Sequence, residues 1–156
     1  MFNLDLTGRW SVRSETGDAE TIQAEVPGCI HLDLLAADKI EDPFYRDNED
    51  RLMWIGERDW IYERTFEVEA AVLKSRCILL ECEGLDTLAT VAINDVEVGQ
   101  ADNMFRTWEF DVKDVLKEGT NSIRITFASA ALEGARRQRE IQHFHLGGVG
   151  HHKLDG

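Results

Sequence analysis

Apolar side chains recur at every second position in run after run of this 156-residue chain, and that period restricts the fold more than any other feature. Trp60, Tyr62, Phe66 and Val68 share one face, broken only by Arg64, and Ile78, Leu80 and Cys82 share the next. Val91 with Ile93, then Val96 with Val98, continue the pattern; Arg106, Trp108, Phe110 and Val112 alternate with polar residues, and Ile123, Ile125 and Phe127 follow. A run of period two has one dry and one wet face, as an antiparallel strand requires. Turn residues separate the runs: Gly84-Leu85-Asp86-Thr87, the hairpin signal Asn94-Asp95, and Lys117-Glu118-Gly119-Thr120-Asn121.

Ahead of this region, Arg9 to Arg13 and Thr21 to Val26 read as two more strands, the second stopped by Pro27-Gly28. His31 to Lys39 reads as a short helix with Leu32, Leu35 and Ala36 at helical spacing, ended by Asp42-Pro43 because the residue before proline leaves the helical region. About eight short strands with little helix predict an all-β fold, an antiparallel jelly roll or β-sandwich carrying short helices.

Charge and cysteine usage narrow the function. A net charge of −13 opposes a nucleic-acid footprint or docking on anionic lipid, both of which need a basic face. No apolar run approaches the ~18 residues of a membrane span, and Met1 to Leu6 does not read as a secretory signal. Cys29, Cys77 and Cys82 form no CxxC, and Cys77 and Cys82 fall in one predicted strand pointing to opposite faces. Free, mostly buried thiols in a cytoplasmic protein are the expectation.

Ala130 to Gln142 is polar and helix-prone, and His143 to His152 holds four of the five histidines in a glycine-rich tail. Such a tail imposes no ligand geometry, so neither a metal nor any other cofactor is expected. The chain divides into a sandwich over residues 1–130 and a helix with tail over residues 131–156.

Candidate contacts concentrate in two polar loops. Asp102, Asn103 and Arg106 place a carboxylate, an amide and a guanidinium beside Phe105 and Trp108, the mixture of hydroxyl-binding groups and flat rings that a sugar site uses. Asp42 and Asn48 lie in the other loop, Asp42-Pro43-Phe44-Tyr45-Arg46-Asp47-Asn48-Glu49-Asp50. Structural roles are weighed beside each: Asp42 and Asp102 as turn or cap residues, Asn48 as a turn former, Arg64 and Arg106 as ion-pair members.

A series of words recurs in order: Val26-Pro27-Gly28, His31-Leu32-Asp33-Leu34-Leu35, Asp42-Pro43-Phe44-Tyr45, Trp60-Ile61-Tyr62-Glu63-Arg64-Thr65-Phe66, Gly84-Leu85-Asp86-Thr87, Asp102-Asn103-Met104-Phe105-Arg106, and Gly119-x-Asn121. Over residues 4–130 they closely resemble the N-terminal domain of beta-mannosidases in glycoside hydrolase family 2. The resemblance implies a galactose-binding-like jelly roll at the head of a multidomain enzyme, followed by an immunoglobulin-like domain and a TIM barrel that carries both catalytic glutamates. It also implies that the domain reaches over the barrel mouth, with Asp42 to Asn48 in the region where related galactosidases place a sugar-contacting asparagine.

Asn48-Glu49 imitates the asparagine-glutamate pair of the family's acid/base but stands in this first-domain loop, so no catalytic residue is assigned. The family continues past the helix into Gly-Trp-Asp-Trp-Gly-Pro, where this chain has His143-Phe144-His145-Leu146-Gly147-Gly148. One or two closing strands are therefore expected to be missing, leaving an edge that invites pairing with another chain. Three functions remain in view: the non-catalytic head of a retaining beta-mannosidase acting on a beta-mannoside or related oligosaccharide, a stand-alone carbohydrate-binding module, and a structural interaction domain.

Overall fold

The structure, a computed structural model, describes residues 2–15 and 20–140. Two antiparallel sheets face each other. Six strands, in the order β2-β1-β3-β8-β5-β6, make the large sheet: β1 (Gly8–Ser14), β2 (Ile22–Val26), β3 (Trp60–Val68), β5 (Leu88–Ile93), β6 (Val96–Ala101) and β8 (Gly119–Ala128). The small sheet pairs β4 (Leu79–Cys82) with β7 (Trp108–Asp111). Short helices α1 (Ile30–Ala36), α2 (Asn48–Arg51) and α3 (Ala70–Leu73) interrupt the strands, and α4 (Ala130–Glu140) follows them. The eight strands and the antiparallel sandwich agree with the period-two reading.

Most of the core lies where that period put it, but Val96 is 50% exposed and β6 meets the core through Gly99 and Ala101. Ile22, Val12, Tyr62, Ile125, Val91 and Gly99 stand side by side across the six strands. Val12 and Val91 in this row are fully buried. Gly99 belongs to the row because Phe110, reaching over from the small sheet, takes the space beside it: a Cβ on Gly99 would lie 2.3 Å from the Phe110 ring. Arg64, the polar break in the β3 pattern, donates to the carbonyls of Leu6 and Thr7 and so ties the N-terminal segment to the sheet.

Three readings need correction. Cys29 and Cys77 are exposed and Cys82 half-buried, so the thiols are free but not mostly buried; Cys77 precedes β4 instead of lying in it. The strand around Trp108 starts at Trp108, leaving Arg106 in the preceding bend. Arg64 and Arg106 pair with no carboxylate among the described residues, one bonding to carbonyls and the other covering a ring. The histidine tail lies outside the described residues.

At the far end of the sandwich two asparagines lock the turns. Asn94 donates through Nδ2 to the Val115 carbonyl at 2.8 Å and to Asn121 Oδ1 at 2.7 Å, and its Oδ1 accepts from Ser122 N–H. Asn121, 1% exposed, donates to the Lys117 and Gly119 carbonyls and accepts from Lys117 N–H. Gly119 occupies φ +86°, open to glycine without the steric cost other residues bear. The Gly119-x-Asn121 word is thus a structural pin.

Candidate functional site

Register gathers the candidate loops at one end. Trp60 opens β3 opposite Phe127 near the end of β8, Phe127 pairs with Ala89 near the start of β5, and Ala89 pairs with Ala101, the last residue of β6. The loop 102–107 therefore leaves the sheet at the end where the 37–59 segment enters it. Three further bonds hold that segment there. Lys39 pairs at 2.6 Å with Glu20, just ahead of β2, and Ser129 binds the Gly56 carbonyl and the Asp59 carboxylate, each at 2.6 Å.

Both loops are built around the same local device. Asp42 Oδ1 accepts from Phe44 N–H at 2.9 Å, and Asn103 Oδ1 accepts from Phe105 N–H at 2.8 Å. Each is an Asx turn, in which a short polar side chain replaces a backbone acceptor. Each leaves a phenylalanine in water: Phe44 is 97% exposed and Phe105 88%. Tyr45, Met53 and Met104 are exposed on the same segments.

Asn48 is different. Only 5% exposed, it donates through Nδ2 to the Asp42 carbonyl at 2.9 Å and so closes its own loop. Its N–H donates to the Tyr45 carbonyl at 3.2 Å. Arg46 in this loop has φ +56°, and the other non-glycine residues with positive φ, Asp38, Asn94 and Asp95, are of the types that tolerate that region. Its guanidinium lies 5.1 Å from the centre of the Tyr45 ring.

In the other loop Arg106 lies over Trp108, 4.2 Å from the ring centre. Beyond it, the Trp108 and Phe110 rings are nearly parallel, at 4° and 6.3 Å. The indole N–H of Trp108 donates to the Asn103 carbonyl at 2.9 Å. Trp108, offered by the sequence as a flat platform, is thereby in contact with the protein's own Arg106 and Phe110 side chains.

The five predicted contacts have three placements. Asp42 and Asn48 bond within one loop; Asn103 and Arg106 organise the other around Trp108. Asp102 lines a cleft of about 470 Å³ together with Trp108, the ends of β5 and β6, and Glu133 and Arg137 of α4. Sequence reasoning did not connect α4 to this end, because no local pattern tells which strands a following helix will stand beside. Among the described residues no group of three or more His, Cys, Asp or Glu side chains is placed to hold a metal ion.

A six-plus-two-stranded jelly roll with its candidate loops at one end defines the class: a galactose-binding-like β-sandwich. The model of the glycosyl hydrolase 2 galactose-binding domain-like family matches residues 10–154, and the chain belongs to that family. The beta-D-mannosidase of Dictyoglomus thermophilum superposes with a TM-score of 0.86 at 38% identity, over 90% of this chain and 17% of that one. Beta-mannosidase of Capra hircus is 33% identical over 135 residues, covering 86% of this chain and 15% of its own length. Beta-mannosidase A of Emericella nidulans is 38% identical over 124 residues, 78% of this chain and 13% of that protein. The chain therefore spans about one seventh of the length of the curated relatives it matches.

Proposed function

We propose that this chain acts as the N-terminal, non-catalytic domain of a retaining beta-mannosidase, lining the pocket for a beta-mannoside or related oligosaccharide and packing on a barrel that carries the catalysis. One observation carries the reading beyond family membership: the two loops with candidate contacts leave the same end of the sandwich, each pinned by an Asx turn and each exposing a phenylalanine. Aromatic residues, methionine and arginine are enriched where protein surfaces meet. Phe44, Tyr45, Met53, Met104 and Phe105 supply that apolar surface, while Asp42, Asp102, Asn103 and Arg106 supply sugar-binding groups. Asn48 serves by fixing the Asp42 loop. The sandwich ends near residue 130, with α4 as an appended segment.

Retaining hydrolysis requires a nucleophile and an acid/base whose carboxyl groups stand ~5–5.5 Å apart across the scissile bond. No role of that kind is given to a carboxylate of this chain. The protein extended by its downstream coding sequence is expected to hydrolyse an aryl beta-mannoside. Phe105→Ala in that protein is expected to weaken activity or domain packing without unfolding the sandwich. An extended protein that cleaves other glycosides but no mannoside would overturn the reading.

Two lesser expectations accompany it. Free thiols support a reducing, cytoplasmic setting. Among the described residues the outer edges of β2 and β6 have no strand neighbour in the large sheet, which supports edge-to-edge self-association, read by a concentration-dependent shift in size-exclusion elution.

A further inference from the structure

We propose that the outer face of the six-stranded sheet binds a second copy of this chain, face against face, with the two-fold axis running along β3 and β8. Residues that alternate with the buried ones make this face. Its charges are Arg9 and Arg13 on β1, Glu63 on β3 and Arg124 on β8. Ser11, Thr65, Ser122 and Ala92 lie between them, so no large side chain in the middle holds a second sheet away. The face belongs to the strands, not to the loops proposed to line the pocket.

The charges are laid out across the strands in a definite order. Glu63 and Arg124 are register partners on the two middle strands. Arg124 donates through Nε to Glu63 at 2.7 Å and through Nη2 to Asp95 at 2.6 Å, which draws the β5–β6 turn onto the face. Arg13 Nε lies 3.6 Å from the Glu63 carboxylate. Arg9 pairs with no carboxylate among the described residues, not even Glu25, its register partner on β2. Positive charge therefore gathers on β1, and negative charge on the other side of the sheet, at Asp95.

That order makes the face complementary to itself. An axis along the middle strands lays β3 over the partner's β8 and β1 over the partner's β5. Glu63 then meets the partner's Arg124, Arg124 meets the partner's Glu63, and Arg9 meets the partner's Asp95. An axis across the strands would set Glu63 on Glu63 and Arg124 on Arg124, and like charges so placed reject a pairing. Aligned sheets stack face to face ~10 Å apart. Six strands at ~4.8 Å spacing, about five residues long, give each copy roughly 500 Å², the size of a weak, transient contact. The net charge of −13 repels two copies at long range, so the local pairs must carry the association.

The test is sedimentation equilibrium of the 156-residue chain over rising concentration at physiological ionic strength, where a reversible monomer–dimer equilibrium is expected. Each substitution acts twice in a two-fold dimer, so Arg9→Glu is expected to weaken association roughly tenfold. Asp95→Asn, which keeps a residue type that tolerates φ +65°, is expected to weaken it less. Within one chain Arg9 and Asp95 stand three strands apart, about 14 Å, beyond the Debye length. Coupling between them therefore reports contact between copies, and in the Asp95→Asn background Arg9→Glu is expected to cost only about threefold. Val96→Lys charges the β6 edge, leaves the face untouched and is expected to leave the equilibrium where it was. All three positions are exposed, so the variants keep the fold. A chain that stays monomeric at every concentration, additive effects of the two face substitutions, or loss of the dimer in Val96→Lys alone would each overturn the proposal.

Discussion

Asp33 shows how one buried residue joins three elements. At 5% exposure, its carboxylate accepts from the Glu25 N–H at 3.0 Å and from the Tyr62 hydroxyl at 2.7 Å, binding α1 to β2 and β3. Burial, then the hydrogen bond to Asp33, pushes the Tyr62 phenol well above its ordinary value of 10.0. Tyr62→Phe leaves that carboxylate oxygen unpaired, so a loss of ~1.5–3 kcal/mol in urea unfolding is expected. The folded state holds the Tyr62 proton more tightly than the unfolded one. That stabilisation is complete below pH 10 and declines above it.

The cysteines offer a second residue-scale test. Burial, with the neighbouring Glu81 charge adding to it, raises the Cys82 thiol to about 11, whereas Cys29 and Cys77 are exposed. Because the thiolate is the nucleophile, iodoacetamide at neutral pH is expected to label Cys29 and Cys77 well before Cys82, as read by peptide mass spectrometry. Labelling of Cys82 as fast as the others would contradict the packing of β4.

Among the elements, β6 and β7 pack closely at Gly99. Gly99→Ala places a methyl group 2.3 Å from the Phe110 ring, and overpacking of this kind costs ~1–3 kcal/mol. The expected result is a lower urea midpoint with an unchanged slope. Phe110→Leu in the same background is expected to recover part of the loss, since it makes room for the methyl.

Helix α4 is held differently, with no buried side chain. Ser129 caps it by accepting from the Leu132 N–H at 3.0 Å, and Glu133 bonds to Arg136 and Arg137. Those arginines, Arg136 first, hold the Glu133 carboxyl at about 2, below its ordinary 4.5. A depressed carboxylate stabilises the folded form above pH 4.5 and loses that effect as pH falls toward 2. Far-UV circular dichroism should show helix lost across that window while the sandwich retains its tryptophan fluorescence. Coincident loss of both signals would mean that α4 is integral to the sandwich.

For the whole molecule, the family relationship and the fold bear on where catalysis resides. The relatives it matches extend far beyond the segment that this chain covers, and its described residues form a sandwich, not a barrel. The isolated chain is therefore expected to leave aryl beta-mannosides uncleaved, measured as chromophore release over a period in which the extended protein turns over visibly. Cleavage by the isolated chain would overturn the assignment of catalysis to another domain.

Much of this molecule was legible along the chain, for a physical reason. Strand period, turn residues and the two Asx loops are local, decided by side chains within a few positions of one another. They were enough to place Val91 and Ile123 inside and Asp42 in a turn. The ordered words Asp42-Pro43-Phe44-Tyr45 and Asp102-Asn103-Met104-Phe105-Arg106 likewise identified the family without coordinates. Only tertiary structure settled what depends on distant partners. It turned Asn48 inward to hold Asp42, laid Arg106 over Trp108 instead of beside a carboxylate, and brought α4 against the ends of β5 and β6. Sequence carries the period of a strand, but which neighbour a side chain meets is decided by register and by the stacking of one sheet on another.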